Sequence, residues 1–463
     1  MSAEASDMSS YLLMGLPGLA YLSGLSEVGW TAIGLAVGTY LNWLIVAKRI
    51  RNYTEICGNS ITVPEFLSKR YRDNRNILTA IGAIIIIIFF IPYTASGFSA
   101  CGKLFNSLFG VDYITAMIVS AVVIVLYTTL GGFLAASTSD FIQSCIMTVA
   151  LIIVLGFGIY TAGGIGQVID NSRELAGYLS LTHSHDQATG ASSPYGFISI
   201  VSTLAWGLGY FGMPHILLRF MAIEDHKKLK LSRRVATVWV VISMGAAVAI
   251  GVVGLSMSKA GAVPYLEGSS ASETIIIQIS SLISTHGVIA ALVAGLIIAG
   301  ILAATMSTSD SQLLAASSSV SQNLIKDFAG IKVSQRTEMI LARLTVVVIS
   351  VIAAFLAQNP DSSVFRIVSF AWAGFGAAFG PLILTSLYWK RTNFYGALAG
   401  LVSGGAMVFI WKFLVRPLGG AWDIYELLPA FIVSFAVIVI VSLLTPEPSE
   451  EIQKEFDAVK VHE

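Results

Sequence analysis

Charge is what this chain has least of. Asp, Glu, Lys and Arg make up 12% of its 463 residues, about half the ~25% usual in a soluble domain. With 55% hydrophobic residues alongside, an ordinary water-facing surface is excluded. Acidic and basic residues balance at 27 each, so net charge favours no partner, and no nucleic-acid partner is expected. Cysteine is also scarce. Cys57, Cys101 and Cys145 are scattered and odd in number, which suggests neither a disulfide framework nor a metal cluster. No phosphate loop, nucleophile–base pair or redox motif occurs, so no enzyme is expected. The opening Met1-Ser-Ala-Glu-Ala-Ser-Asp lacks the basic and apolar regions of a signal peptide.

Long apolar runs dominate what remains, and a span needs about 20 such residues. An apolar half-span, Tyr11–Ser23, follows the polar opening Ser2–Ser10. Candidate spans come at Val28–Ala47, Ile77–Ala100, Tyr113–Gly131, Asp140–Ala162, Phe197–Phe220 (broken in the middle) and Val235–Ser256. An amphipathic piece at Glu273–Ile283 precedes a long helix at Val288–Gln322. Further spans sit at Leu344–Leu356, Ile367–Trp389, Ala397–Trp411 and Leu427–Leu444. The charged tail from Thr445 reads as solvated, with room for a short helix.

Lys and Arg number seven in 48–75, six in 219–234, four in 326–343, two at Lys390–Arg391 and two in the tail, 21 of 27. On this span map those loops share one side, and the positive-inside bias places them and the C-terminus in the cytoplasm of a plasma (inner) membrane protein. The loops at 163–193 and 257–287 then lie outside. His183 and His185 in the first read as solvated rather than as a zinc pair.

Two spans look interrupted, the best sequence pointer to a transport site when they occupy matching places in two halves. The first break lies in Ala3–Ser10. The second is Trp206-Gly-Leu-Gly-Tyr-Phe-Gly-Met-Pro-His215, whose glycines and proline free backbone groups that need partners. Trp206 and Tyr210 are four apart and share a face, suited to packing a small solute or to an interfacial belt. Five spans follow each break. Five is odd, so the second set enters from the opposite side, an inverted repeat with its site at the interface. The expected units are a first repeat at 1–162, an outer loop at 163–194, a second repeat at 195–389, two accessory helices at 390–444 and a tail at 445–463.

The third helix of the second set carries Leu302–Leu314, with Thr305, Ser307, Thr308, Ser309, Asp310, Ser311 and Gln312 inside a membrane span. Such groups are costly in hydrocarbon without a partner. Ala304, Ser307, Thr308 and Ser311 share a helical face, and oxygen donors without His or Cys suit a hard cation such as sodium. Helix packing through small residues is the alternative. Asp140 reads either as a helix cap or as an ion ligand near Asp310. Asp7 is either an ion-site acid or a solvated charge. Tyr93, after Pro92, either reaches a cavity or packs. The glycine- and aromatic-rich Ser369–Pro381 suits gating or close packing.

Six motifs run in order along nearly the whole chain: Ala5-Ser-Asp-Met-Ser, Leu13-Met-Gly-Leu-Pro-Gly, the second break, Arg219-Phe-Met-Ala, Ala303-Ala-Thr-Met-Ser-Thr and Trp372-Ala-Gly-Phe-Gly-Ala-Ala-Phe-Gly-Pro. Together they resemble the sodium:solute symporter family, most of all its proline branch. The resemblance implies an all-α polytopic membrane protein with a five-plus-five inverted-repeat fold and two extra C-terminal helices. It implies sodium ligation by Ala5, Met8, Ala304, Ser307 and Thr308, and solute binding by Ser9, Tyr93, Trp206, Tyr210 and Pro214. Asp7 matches an ion-coupling acid, and Asp140 and Ser311, with Asp310 beside them, a candidate second cation site. Glu4 stands where a small residue is usual, and Asp310 and Ser311 where the proline branch differs. The family pattern carries a further N-terminal span and the first half of the first broken helix before the position of Met1, both expected to be missing here. The expected activity is sodium-coupled symport of a small solute, L-proline before other amino acids, carboxylates or sugar acids. A membrane sensor and a non-functional truncated fragment are the other readings.

Overall fold

The computed structural model describes residues 2–223 and 228–461. Among them ten helices are long and apolar enough to cross a membrane, or eleven if a bent pair is one span. After a single turn at Ser2–Ala5, α1 is the half-length Tyr11–Ser23 and α2 is Leu25–Ile56. The short α3 (Val63–Arg70) leads to α4 (Ile77–Phe109), α5 (Tyr113–Gly131) and α6 (Ala136–Thr161). The Tyr127 hydroxyl pairs with Ser139, twelve residues on. Twelve residues of straight helix would span about 18 Å, so the chain doubles back between α5 and α6.

The surface helix α7 (Ile165–Arg173) precedes a hairpin in which β1 (His183–His185) pairs antiparallel with β2 (Ser192–Pro194). The His185 ring bonds the Ala176 carbonyl at 3.1 Å, and no group of three metal-binding side chains occurs among the described residues. Then come α8 (Phe197–Gly212) and α9 (Pro214–Met221), bent by 45°, and α10 (Leu229–Lys259). After a short turn of helix at Gly268–Ser272, the remaining helices are α11 (Ile275–Ser284), α12 (Val288–Phe328), α13 (Gln335–Leu356), α14 (Val364–Tyr388), α15 (Phe394–Leu418), α16 (Leu427–Leu444) and α17 (Glu450–Val461).

Polar caps start several helices, as their orphan amides require. Asp112 accepts from Thr115 N at 3.0 Å and Asn393 from Gly396 N at 2.9 Å. Several spans run longer than hydropathy alone suggested. α4 continues to Phe109 and α13 begins at Gln335, because helical hydrogen bonding carries on past the hydrocarbon into polar residues.

The tail differs from the expectation of a solvated segment. α17 packs on the basic end of α2, with Ile452, Phe456 and Val459 buried. Their spacing of four and three makes one apolar stripe. Phe456 meets the edge of Tyr53 at 6.4 Å, and the Arg70 guanidinium lies 5.5 Å above its ring.

Around the centre, α12 packs on α4, the α5–α6 pair, α11 and α13, while α14 packs on α4, α8, α15 and α16. Close approach at glycines also lets α8 pack on both α2 and α14. A Cβ on Gly38 of α2 would lie 2.4 Å from the Gly207 carbonyl, and one on Gly209 only 1.9 Å from the Trp372 indole nitrogen. Close packing thus accounts for glycines on both sides of the second break.

Candidate functional site

Helical hydrogen bonding lapses over Ser6–Ser9, between the Ser2–Ala5 turn and α1. This unwound stretch is wholly buried. Asp7 is therefore no solvated charge: its Oδ2 accepts from the Tyr210 hydroxyl at 2.8 Å. Its Oδ1 has no partner among the described residues. The Tyr93 hydroxyl makes a long bond to the Asp7 carbonyl at 3.4 Å. Ser9 is buried nearby, its hydroxyl accepting from Tyr11 N at 3.3 Å. Glu4, also buried, accepts from the Trp43 indole at 2.7 Å.

The second break is a tight 3₁₀ turn over Ala205–Gly212, ended by the extended Met213. Pro214 then starts α9, where the missing proline N–H costs nothing. Asn42 of α2 donates to the Tyr210 carbonyl at 3.1 Å, one of the backbone groups the break sets free. Trp206 and Tyr210 are buried, which excludes an interfacial belt. Trp206 stacks on Tyr425 at 5.1 Å and lies 5.2 Å from Phe365. Trp372 donates to the Trp206 carbonyl at 2.8 Å and stands edge-on to Tyr210 at 5.1 Å.

The polar face of α12 meets the first break directly. Ser307 Oγ donates to the Ala5 carbonyl at 2.9 Å and lies 3.2 Å from the Ala304 carbonyl. Thr308 Oγ1 is buried and has no partner among the described residues. Met8 lies in the unwound stretch, so its carbonyl is outside a helical ladder. This donor set is neutral, oxygen-only and short of one partner, which fits a hard monovalent cation.

One turn further along α12 the arrangement changes. Asp140 lies inside α6 rather than at its start, so it is no helix cap. Its Oδ2 accepts from Arg219 Nη2 at 2.8 Å and from Ser2 Oγ at 2.9 Å. The same Nη2 donates to Ser311 Oγ at 2.9 Å, and Nη1 to the His215 carbonyl at 2.9 Å. Ser311 Oγ lies 2.9 Å from the Ser307 carbonyl and 3.2 Å from Asp310 Oδ1, either of which can take its one proton. Asp140 Oδ1 and Asp310 Oδ2 lack partners among the described residues. Asp140, Asp310 and Ser311 are thus brought together, around a guanidinium that the span map counted among loop charges. Its signal was its place one turn beyond the break, on α9. Gln312 was named only as a polar residue; its amide oxygen accepts from Thr94 at 3.2 Å.

Two cavities approach the second break. One of about 1040 Å³ opens at the hairpin end and is lined by Pro92, Ala95, Trp206, Phe365 and Tyr425. The other, about 550 Å³, opens toward the basic loops and is lined by Pro214, His215, Arg219 and Ser311. Trp206 and Pro214 therefore face different cavities. Ser9, Tyr93 and Tyr210 line neither and are buried with Asp7.

The model of the sodium:solute symporter family matches residues 1–404. The osmoregulated proline transporter OpuE of Bacillus subtilis (strain 168) is 41% identical over 460 residues, 99% of this chain and 89% of that protein. A sodium/proline symporter of Staphylococcus aureus is 40% identical over 466 residues, 99% of this chain and 87% of that protein. Two solved structures share the fold. A Na+-coupled sialic acid symporter in its substrate-bound outward-open state superposes with a TM-score of 0.76 at 16% identity, covering 97% of this chain and 90% of the other. Mhp1, a nucleobase-cation-symport-1 family transporter, gives 0.56 at 12% identity, covering 98% and 95%.

Proposed function

The chain belongs to the sodium:solute symporter family, and from that premise we propose that it imports L-proline with sodium by alternating access. It is an integral membrane protein and a secondary transporter, with sodium as coupling ion. The observation that carries the site reading is the joint between Ser307 and the Ala5 carbonyl, with Thr308 Oγ1 unpartnered beside it. Sodium held by Ala5, Met8, Ala304, Ser307 and Thr308 would tie the first break to α12. That orders the neighbouring pocket of Ser9, Tyr93, Trp206 and Tyr210, with Pro214 at its far side and Asp7 as the coupling acid. The pyrrolidine ring meets aromatic faces, while the free backbone groups of the breaks take the ammonium and carboxylate.

The two repeats, each opening with a broken helix, are read as inverted copies that rock about this site. The cavities reaching the second break from opposite ends support that reading. The positive-inside bias puts the basic end and the C-terminus in the cytoplasm. Entry of one charge through 100 mV supplies about 2.3 kcal/mol, enough for roughly 50-fold accumulation. A second cation at Asp140, Asp310 and Ser311 would have to share or displace the Arg219 guanidinium.

The test is uptake of labelled L-proline into proteoliposomes under an inward sodium gradient. Sodium should stimulate it, and uptake indifferent to sodium would sink the proposal. Competition by other amino acids, carboxylates and sugar acids ranks the alternative solutes.

A further inference from the structure

Six charged side chains line the cavity at the hairpin end: Glu27, Glu273, Arg366, Lys412, Arg416 and Asp423. Four are engaged. Glu273 takes Lys103 Nζ at 2.8 Å, Ser363 Oγ at 2.7 Å and the amides of Val364 and Phe365 at 3.0 and 3.1 Å. Lys412 and Arg416 share the buried Glu426 at 3.2 and 3.0 Å, and Arg416 also holds Asp423 at 2.8 Å. The side chains of Glu27 and Arg366 make no hydrogen bond or salt bridge among the described residues, and Glu27 feels the charges of Arg366 and Arg416 through space.

Their positions are unequal. Glu27 sits in the first turn of α2, where the helix dipole favours an anion. Arg366 sits in the first turn of α14, capped by Ser363, where the same dipole disfavours a cation. Arg366 is exposed to the cavity, held by no salt bridge and opposed there by the Glu27 charge, so its guanidinium is available to an anion entering the cavity. Below the two charges the floor is aromatic: Phe365, Phe370 and Trp206 line the same cavity.

We propose that this vestibule is a staging site for an amino-acid zwitterion. Arg366 takes the α-carboxylate, Glu27 the α-ammonium, and the apolar side chain rests on Phe365 and Trp206 before passing to the deeper site. The site rests on the proline reading above, since it requires a zwitterionic solute. One carboxylate and one guanidinium lining the same cavity select for both charges together and concentrate such solutes at the path's entrance.

Initial rates of L-proline uptake test the site. Glu27→Gln and Arg366→Gln should each raise KM about tenfold, with the loss falling on KM rather than on kcat. The charge-swapped double variant, Glu27→Arg with Arg366→Glu, should recover most of the loss, because a zwitterion can bind the reversed pair end for end. A merely structural pair would also be rescued by the swap, but its single variants would lower the thermal midpoint and leave KM unchanged. Single variants with the wild-type KM, or a swap as poor as the singles, overturn the staging site while leaving proline transport standing. A wild-type protein that takes up no proline overturns both.

Discussion

Two constellations lie one helical turn apart on α12 and handle charge in opposite ways. At Ala304, Ser307 and Thr308 the helix meets the unwound first break with neutral oxygens only, and the Thr308 hydroxyl has no partner among the described residues. At Asp310 and Ser311 it meets Asp140 and Arg219, a carboxylate and guanidinium 2.8 Å apart. The first holds no charge of its own and is the proposed seat of a mobile sodium ion. The second already holds a positive charge that is covalently part of the protein. Similar short polar residues on one helix therefore do different work, decided by whether the facing element brings a cation of its own.

The sharpest way to break this contrast is to remove the resident cation. Arg219→Met leaves Asp140 buried without its partner, which should cost about 3–5 kcal/mol and lower the thermal midpoint measured in detergent. Adding Asp140→Asn should restore much of that loss, because the uncompensated charge is gone. If Arg219→Met alone is as stable as the wild type, the guanidinium is not what balances Asp140.

A smaller effect is expected at the neutral constellation. Ser307→Ala or Thr308→Ala removes one oxygen ligand and no charge. The sodium concentration for half-maximal uptake should rise about tenfold, with little change in thermal midpoint. Unaltered sodium dependence in both variants would dissolve the distinction between the two sites.

The smallest shift belongs to Asp310→Asn. If Arg219 holds the second constellation, half-saturation by sodium should move by less than about twofold, under ~0.4 kcal/mol. A fall in the Hill coefficient for sodium would instead show that a second mobile cation binds there.

Much of this was legible in the residues. The apolar runs mapped the spans, the glycines and proline of 206–215 marked the second break, and Ser307 and Thr308 stood out as hydroxyls in hydrocarbon. Arg219 was misread because hydropathy treats any Arg near a span end as a loop charge, although its side chain is 9% exposed and faces inward. The tail was misread for a similar reason. Its acidic and basic residues drew the eye from the buried stripe Ile452, Phe456 and Val459, a periodic signal that was available. Glu27 and Arg366 gave no signal, because each is a common residue at a helix start.

Local features were therefore legible in the sequence alone: where most of the long helices run, where the chain breaks and which segments are apolar enough to cross a membrane. These depend on hydropathy, periodicity and backbone chemistry within windows of some twenty residues. Partnership was decided only in the folded molecule. Ser307 finds Ala5 across 302 positions and Arg219 finds Asp140 across 79. A buried polar group must be satisfied, but its own neighbourhood in the chain does not say by whom. That depends on which helices pack together, and here packing separates a neutral cluster of oxygens from one with a cation built in.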